Sequence, residues 1–123
     1  MTALFADIKG STELEQDLSR GADFVSVNLD LKPSTWHIID RDALLCMKPS
    51  AYFINTSRGP VIDQIALTET LRDRRIAGAA LDVLEQEPPT PGDPILRLDN
   101  VIVLPHIGTA TAETRQAMLD CAI

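Results

Sequence analysis

The stretch from Ala51 to Asp63, AYFINTSRGPVID, decides how the rest of the chain is interpreted. Its first four residues are apolar and β-prone, which is typical of a buried strand in a parallel sheet. Small polar residues, Arg58 and a Gly-Pro pair follow, and Asp63 begins a helix. Ligands of open α/β sheets bind at the carboxyl ends of strands. Arg58 follows such an end, where its planar charged guanidinium suits a carboxylate or phosphate; an ordinary surface arginine is the alternative.

The rest of the sequence alternates between strand-like and helix-like patterns. Apolar or β-branched runs predict further strands at residues 2–8, 23–29, 76–83 and 101–104. Capping residues and breakers predict helices from Thr12 to about Leu18, from Asp40 to Pro49, from Asp63 to about Arg75, and from about Thr111 to the last residue. The helix that begins at Asp63 is expected to bury Ile65, Ala66 and Leu71. Such alternation is typical of a parallel α/β sheet.

The composition limits the classes of partner. A chain of 123 residues is long enough for about one small domain with its own core. The net charge of -7 disfavours nucleic acid and anionic membranes. Only two cysteines occur, Cys46 and Cys121, and both lie in apolar helical surroundings, which favours a reducing compartment. No run is long enough to span a membrane and no signal-peptide pattern follows Met1, so a cytoplasmic location is expected.

Three ionisable residues follow predicted strands. Arg58 follows the strand at 51–54, Glu87 follows the strand at 76–83 within DVLEQEP, and His106 follows the strand at 101–104 within LPHIG. If these strands are neighbours, the three side chains converge on one crevice. The arginine would hold an anionic substrate and the histidine would exchange a proton near neutral pH. A carboxylate on the far ring nitrogen would fix the tautomer and favour the charged imidazole.

Each of these residues also has a simpler interpretation, which for His106 is that of a core histidine. Glu87 lies in an acidic, proline-rich loop, where side chains are more often solvated than functional. His37 follows Trp36 in no recognisable framework and is interpreted as structural. The histidines and cysteines lack any metal-ligand spacing, and the sequence contains no G-x-G-x-x-G motif. The residues alone therefore support a ligand crevice but no named cofactor.

From about Ala22 onward the sequence resembles the D-isomer-specific 2-hydroxyacid dehydrogenases, in particular the glyoxylate/hydroxypyruvate reductase and phosphoglycerate dehydrogenase group. The matching segments are ADFVSVNLDLKPST, MKPSAYFINTSRGPVID, RIAGAALDVLEQEPPTPGDPIL and LDNVIVLPHIGTAT, in that order and with family-like spacing. The resemblance implies a partial Rossmann-like, three-layer parallel sheet with helices on both faces. It assigns residues 19–123 to part of an NAD(P)-binding domain.

The resemblance also implies the roles of individual residues. Arg58, Glu87 and His106 match the catalytic triad, in which the histidine is the general acid/base, the glutamate pairs with it and the arginine binds a 2-oxo acid. Hydride would pass between C2 of a small 2-hydroxy or 2-oxo acid and NAD or NADP. The expected cofactor-binding residues are Asn28, Asp30, Thr56, Arg58, Asp82, His106 and Gly108, of which Asp82 matches the contact to the nicotinamide carboxamide. A homodimer through the cofactor domain is left open.

The sequence differs from the family at two positions and lacks two of the family's large elements. Asn28-Leu29-Asp30 stands where many members have a histidine-x-proline, and Leu84 replaces a common phenylalanine. The family's glycine-rich phosphate loop and its separate substrate domain have no counterpart in the sequence. We therefore expect the isolated chain to be inactive or nearly so. A non-catalytic remnant of the fold that self-associates is the alternative.

Residues 1–18 are predicted to be a short N-terminal segment of foreign origin. Their ALFADIKGSTEL resembles the opening strand and turn of class III nucleotidyl cyclase domains, in which Asp7 would match a metal-binding aspartate. No second metal aspartate follows, so a cyclase fragment is the least favoured interpretation and no metal is otherwise expected. A fusion between about Glu13 and Arg20 would explain the segment, and so would a chance strand-turn-helix that fits the sheet.

Overall fold

The structure of the protein, a computed structural model, describes residues 1–6, 11–18 and 21–122. Five strands are present in this part of the chain: β1 (Ala3–Ala6), β2 (Phe24–Val27), β3 (Tyr52–Asn55), β4 (Gly78–Leu81) and β5 (Val101–Val103). Four helices accompany them: α1 (Ser11–Leu18), α2 (Arg41–Leu45), α3 (Gln64–Arg72) and α4 (Ala112–Cys121). Short 3₁₀ turns occupy Gly59–Val61 and Pro94–Arg97.

The five strands form one sheet in the order β1-β2-β3-β4-β5, and every neighbouring pair is parallel. In the centre of the sheet Phe53 of β3 lies between Val25 of β2 and Ala79 of β4. Because all strands run the same way, their carboxyl ends meet at one edge. This arrangement confirms the Rossmann-like α/β fold expected from the sequence.

Helices α1, α2 and α3 and the turn at Pro94–Arg97 cover one face of the sheet. The core between them contains Leu18, Val25, Val27, Leu44, Phe53, Leu67, Leu71, Leu81 and Ile95, all essentially inaccessible to water. Crossovers between parallel strands are right-handed in nearly all proteins, so successive crossovers that advance in one direction along a sheet return on the same side of it. The order of the strands therefore explains why these elements share one face.

The opposite face of the sheet carries no packed helix within the described residues, which differs from the expected three layers. Phe24 and Tyr52 stack there with their ring centroids 5.7 Å apart, and Tyr52 and Ile102 are exposed. Helix α4 buries none of its residues and so does not form the second layer. A second layer needs strands that extend the sheet in the opposite direction from β1, because only those crossovers return on this face.

The helix starts agree with the capping signals in the sequence. Asp40 accepts the backbone N–H of Ala43 at 2.9 Å at the start of α2, and Asp63 accepts that of Ala66 at 3.0 Å at the start of α3. Thr111 caps α4 in the same way, through the N–H of Thr114. These three predictions are confirmed because capping depends on residues only three apart.

The orientation of α3 differs in part from the prediction. Ile65 is 73% exposed, whereas Ala66, Leu67 and Leu71 face the core. Leu67 and Leu71 are four residues apart and share one face of the helix, whereas Ile65 lies about 240° around the helix from Leu71. Strands β2, β4 and β5 are also shorter than predicted, since the ends of those apolar runs enter loops, whereas β3 has the predicted length and lies one residue later.

The N-terminal prediction is only partly within the described residues. Strand β1 pairs in register with β2, with Ala3 opposite Phe24. Asp7 lies outside the described residues, and the boundary at residue 18 stays a prediction. No helix in the described part of the chain is long and apolar enough to cross a membrane.

Candidate active site

The loops that leave β2, β3, β4 and β5 carry all the predicted site residues. They follow the strands in pairs: Asn28 and Asp30, Thr56 and Arg58, Asp82 and Glu87, His106 and Gly108. Since the strands are parallel, these loops lie together along the carboxyl edge of the sheet, where ligands of α/β folds bind.

His106 and Glu87 form a hydrogen-bonded pair at this edge. Nδ1 of His106 lies 2.8 Å from Oε2 of Glu87, and Oε1 of Glu87 accepts the backbone N–H of Leu84 at 3.0 Å. An ionised carboxylate can only accept, so Nδ1 carries the proton in this bond. The other ring nitrogen, Nε2, is then the atom available to exchange a proton with a ligand.

The surroundings of Glu87 keep it ionised. Partial burial raises the pKa of its carboxyl group, but the hydrogen bonds from His106 and from the Leu84 N–H outweigh burial and hold the pKa below its ordinary value. The nearby carboxylate of Asp82 acts in the opposite direction and is the weakest of these influences. Glu87 is therefore a carboxylate at neutral pH, as a partner for an imidazolium must be.

An apolar cavity of about 320 Å³ adjoins this pair. Apart from His106 and Glu87 it is lined by aliphatic residues, namely Leu84, Pro88, Pro89, Leu96, Val103, Leu104 and Pro105. Such a lining excludes water from one side of the pair and strengthens electrostatic interactions there.

Arg58 lines a second, more polar cavity of about 440 Å³ together with Asn28, Asp30 and Thr56. Its Nη1 donates to the backbone oxygen of Ser57 at 2.7 Å. No carboxylate in the described residues pairs with Arg58, and no hydrogen bond there joins it to Glu87 or His106. The structure thus places Glu87 and His106 at one cavity and Arg58 at another, whereas Asp82 and Gly108 line neither of the two.

The loops after β3 and β4 make a close contact at Gly59 and Leu84. A Cβ atom added to Gly59 would lie 1.8 Å from the backbone oxygen of Leu84. Only glycine fits there, and the contact fixes the loop of Arg58 against the loop of Glu87.

Two residues that order the arginine loop were missed from the sequence. Asn55 is fully buried, its Oδ1 accepts both the N–H and the hydroxyl of Ser57, and its Nδ2 donates to the backbone oxygen of Arg58 at 3.0 Å. This network fixes the backbone from which the Arg58 side chain leaves. The available signal was an asparagine at the end of an apolar strand, because a buried amide needs partners nearby.

Asp82 anchors the loop that carries His106. Its two carboxylate oxygens accept the N–H groups of Ile107 and Gly108, each at 2.8 Å. A Cβ atom at Gly108 would approach Asp82 Oδ2 to 2.9 Å, so a larger residue at this position would displace the Asp82 carboxylate. Each carboxylate oxygen keeps a second acceptor site, and Asp82 can therefore also accept an N–H from a bound carboxamide.

His37, which the sequence indicates to be structural, has a carboxylate partner. His37 contacts Glu85, with Nε2 2.6 Å from Oε1. The described residues contain no group of three or more histidines, cysteines and carboxylates that could hold a metal ion. Asp7, the metal residue of the cyclase interpretation, is outside this part of the chain.

Known proteins similar to this chain point to one family. Residues 6–108 match the family described as D-isomer specific 2-hydroxyacid dehydrogenase, NAD binding domain. The chain is 48% identical over 111 residues to a glyoxylate reductase of Thermofilum pendens, covering 90% of this chain and 32% of that protein. It is 49% identical over 102 residues to glyoxylate/hydroxypyruvate reductase B of Serratia proteamaculans, covering 83% of this chain and 31% of that protein.

A solved structure gives the same result. An NADPH-dependent glyoxylate/hydroxypyruvate reductase from Sinorhizobium meliloti, in complex with NADP and malonate, superposes with a TM-score of 0.81 at 36% identity, covering 87% of this chain and 33% of that chain. The chain spans about a third of the length of the relatives it matches. It belongs to the D-isomer specific 2-hydroxyacid dehydrogenase family and contains part of that family's NAD-binding domain.

Proposed function

We propose that this chain supplies the acid/base and anion-binding part of an NAD(P)-dependent oxidoreductase that reduces small 2-oxo acids such as glyoxylate or hydroxypyruvate. The hydrogen bond of 2.8 Å between His106 and Glu87 carries the proposal, because it leaves His106 Nε2 available for proton transfer. The guanidinium of Arg58, which pairs with no carboxylate among the residues that the structure describes, also supports it. So do the names of the Thermofilum and Serratia relatives.

In the proposed reaction each residue of the triad acts on a different atom of the substrate. Arg58 holds the carboxylate of the 2-oxo acid through its planar fork of donors. His106 Nε2 donates a proton to the carbonyl oxygen as that oxygen becomes a hydroxyl, and Glu87 stabilises the imidazolium that precedes the transfer. When bound, the reduced nicotinamide supplies the hydride that C2 receives.

The residues present fit part of a dinucleotide site. The polar cavity lined by Asn28, Asp30 and Thr56 would hold one portion of the cofactor, and Asp82 beside Gly108 would accept from the carboxamide. The sequence contains no G-x-G-x-x-G, so the backbone cradle and helix N-terminus that bind a pyrophosphate do not come from these residues. We therefore propose that the chain by itself binds NADH or NADPH weakly and turns over little or no substrate.

A chimeric enzyme tests this function. Residues 22–108 of this chain would replace the equivalent residues of the Thermofilum pendens glyoxylate reductase, which contributes the rest of the enzyme. We expect glyoxylate reduction coupled to oxidation of NADH or NADPH. A folded chimera that binds the cofactor but does not turn over would contradict the proposal and favour the non-catalytic remnant. Robust turnover by the 123-residue chain alone would contradict the expected weakness of the isolated chain.

We also propose that the chain forms a homodimer through the bare face of the sheet. Parallel sheets are normally covered on both faces, and Phe24, Tyr52 and Ile102 leave this one apolar and exposed. Light scattering after gel filtration should give twice the monomer mass, and Tyr52→Lys should lower the measured mass to that of the monomer. A monomeric wild-type chain would contradict the proposed dimer.

The cytoplasmic location stays a prediction from composition.

A further inference from the structure

A second histidine–glutamate pair lies beside the first. His37 Nε2 and Glu85 Oε1 are 2.6 Å apart, and Glu85 precedes Glu87 by two residues in the same loop. The two partners come from segments 48 residues apart in sequence, so the contact ties distant parts of the chain together.

Glu85 is bound to the start of α3 as well as to His37. Its Oε2 accepts the backbone N–H of Gln64 at 3.2 Å, and its own N–H donates to Gln64 Oε1 at 2.8 Å. The side-chain nitrogen of Gln64, Nε2, donates in turn to Oδ2 of Asp93 at 2.9 Å. Gln64 thus fastens both ends of the loop between residues 85 and 93 to one helix end.

His37 is itself held in a costly backbone conformation. Its φ of 47° lies in the left-handed region, which non-glycine residues rarely adopt. The backbone N–H of His37 donates to the oxygen of Pro60 at 2.9 Å, and its ring stacks on Trp36 with centroids 4.3 Å apart. Such a conformation persists only where surrounding contacts hold it, so the ring is presented to Glu85 in one orientation.

The position of Glu85 bears directly on Glu87. Leu84, the residue before Glu85, is buried and donates its N–H to Glu87 Oε1. Its backbone carbonyl packs directly against Gly59. The backbone from 84 to 87 is therefore fixed on one side by Gly59 and in its middle by Glu85. The direction of the Glu87 carboxylate depends on both.

We propose that Glu85, held by Gln64 and His37, is a positioning residue that keeps Glu87 within hydrogen-bond distance of His106. This deepens the proposed function, on which its importance for catalysis rests. The positioning itself is measurable without turnover, so its failure and the failure of the proposed function are distinguishable.

The pKa of Glu87 reports the positioning. His106 and Leu84 lower that pKa through their hydrogen bonds, whereas partial burial and Asp82 raise it. If Glu85→Ala loosens the 84–87 backbone, the hydrogen bond to His106 weakens and the pKa of Glu87 rises. Loss of the negative charge of Glu85 alone would act in the opposite direction, because it removes a like charge. The sign of the change separates the two effects.

The experiment is a carbon-13 titration of the Glu87 carboxyl group in the 123-residue chain. Glu85→Ala should raise the pKa toward that of an unpaired glutamate, and Glu85→Gln, which keeps an acceptor for the Gln64 N–H, should raise it less. Gln64→Ala removes no charge and should also raise it, which covers the case in which Glu85→Ala fails to fold. Glu113→Ala, an exposed change on α4, is the matched control and should leave it unaltered. A folded Glu85→Ala or Gln64→Ala chain with an unchanged or lower Glu87 pKa overturns the proposal.

Discussion

The two histidine–glutamate pairs use the same residue types in opposite ways. His106 contacts Glu87 through Nδ1 and leaves Nε2 uncommitted, beside an apolar cavity. His37 contacts Glu85 through Nε2, and Glu85 is bonded on its other oxygen to the start of α3. The side chains of the first pair are 48% and 38% exposed, against 30% and 27% for the second. The comparison shows that the partners of each pair decide its role, because the ring and the carboxylate are chemically the same in both.

The largest expected difference between the pairs is in turnover. In the chimera, His106→Gln should lower kcat/KM by about 10³, within the range for loss of a general acid. The matched change His37→Gln, with the same loss of a ring, should lower it by about tenfold or less, at the low end for loss of an orienting residue, because Glu85 keeps its two hydrogen bonds to Gln64. Steady-state rates with glyoxylate measure both. Equal losses would remove the distinction between the pairs.

The second effect is on the contact between the loops, and it should disturb both pairs at once. Gly59→Ala puts a methyl group 1.8 Å from the backbone oxygen of Leu84, where neither segment can yield easily. We expect the free energy of unfolding to fall by about 3 kcal/mol, at the upper end of the cost of overpacking. Urea denaturation of the isolated chain measures the change.

Gly108→Ala is the comparison for that variant. Its added Cβ would meet a carboxylate oxygen of Asp82 at 2.9 Å, a side-chain atom that can move. The loss should therefore be smaller than for Gly59→Ala. A larger loss of unfolding free energy for Gly108→Ala than for Gly59→Ala would show that the loop of Glu87 is not held at Leu84.

The positions of many of these residues could be predicted from the local sequence, whereas contacts between distant segments could not. Arg58, Glu87 and His106 could be placed at strand ends because apolar runs in a parallel sheet end at one edge, and Asp40 and Asp63 were identifiable as caps three residues from their targets. The contact of His37 with Glu85 has no local signal. It depends on how the 3₁₀ turn at Gly59–Val61 brings two loops together, which only the tertiary structure shows.

The face of the sheet left bare has the same explanation on a larger scale. Each strand and helix could be recognised singly, but which side a helix returns on depends on the order of the strands. Ile65 is a different case, because its exposure follows from helical spacing, which puts it on the other side of α3 from Leu67 and Leu71. Patterns along the chain establish the elements, and their mutual orientation comes from the topology.

The third prediction compares the contribution of the two glutamates to stability. Glu85 bonds through its side chain to His37 and to the Gln64 N–H, and the pair it forms is the less exposed. Glu85→Ala should therefore lower the free energy of unfolding by about 1–2 kcal/mol, the sum of two ordinary hydrogen bonds. Glu87→Ala should cost less than about 1 kcal/mol, because its pair is more open to water. Denaturant curves of both variants measure these losses. A larger loss of unfolding free energy for Glu87→Ala than for Glu85→Ala would contradict the positioning role of Glu85.

The smallest expected effect is the contribution of Glu87 to the pH dependence of the free energy of unfolding. Hydrogen bonds from His106 and Leu84 lower the pKa of Glu87 in the folded chain below 4.5, the value of a free glutamate. The folded state therefore binds its proton less readily than the unfolded state, so the group stabilises the fold above pH 4.5. This contribution is lost as the pH falls from there through the lower folded pKa. The melting temperatures of the wild type and Glu87→Gln should accordingly differ most near neutral pH and converge in acid. A difference that grew as the pH fell would mean that Glu87 is better bound when protonated, and the acid/base pair proposed here could not operate with Glu87 as its anion.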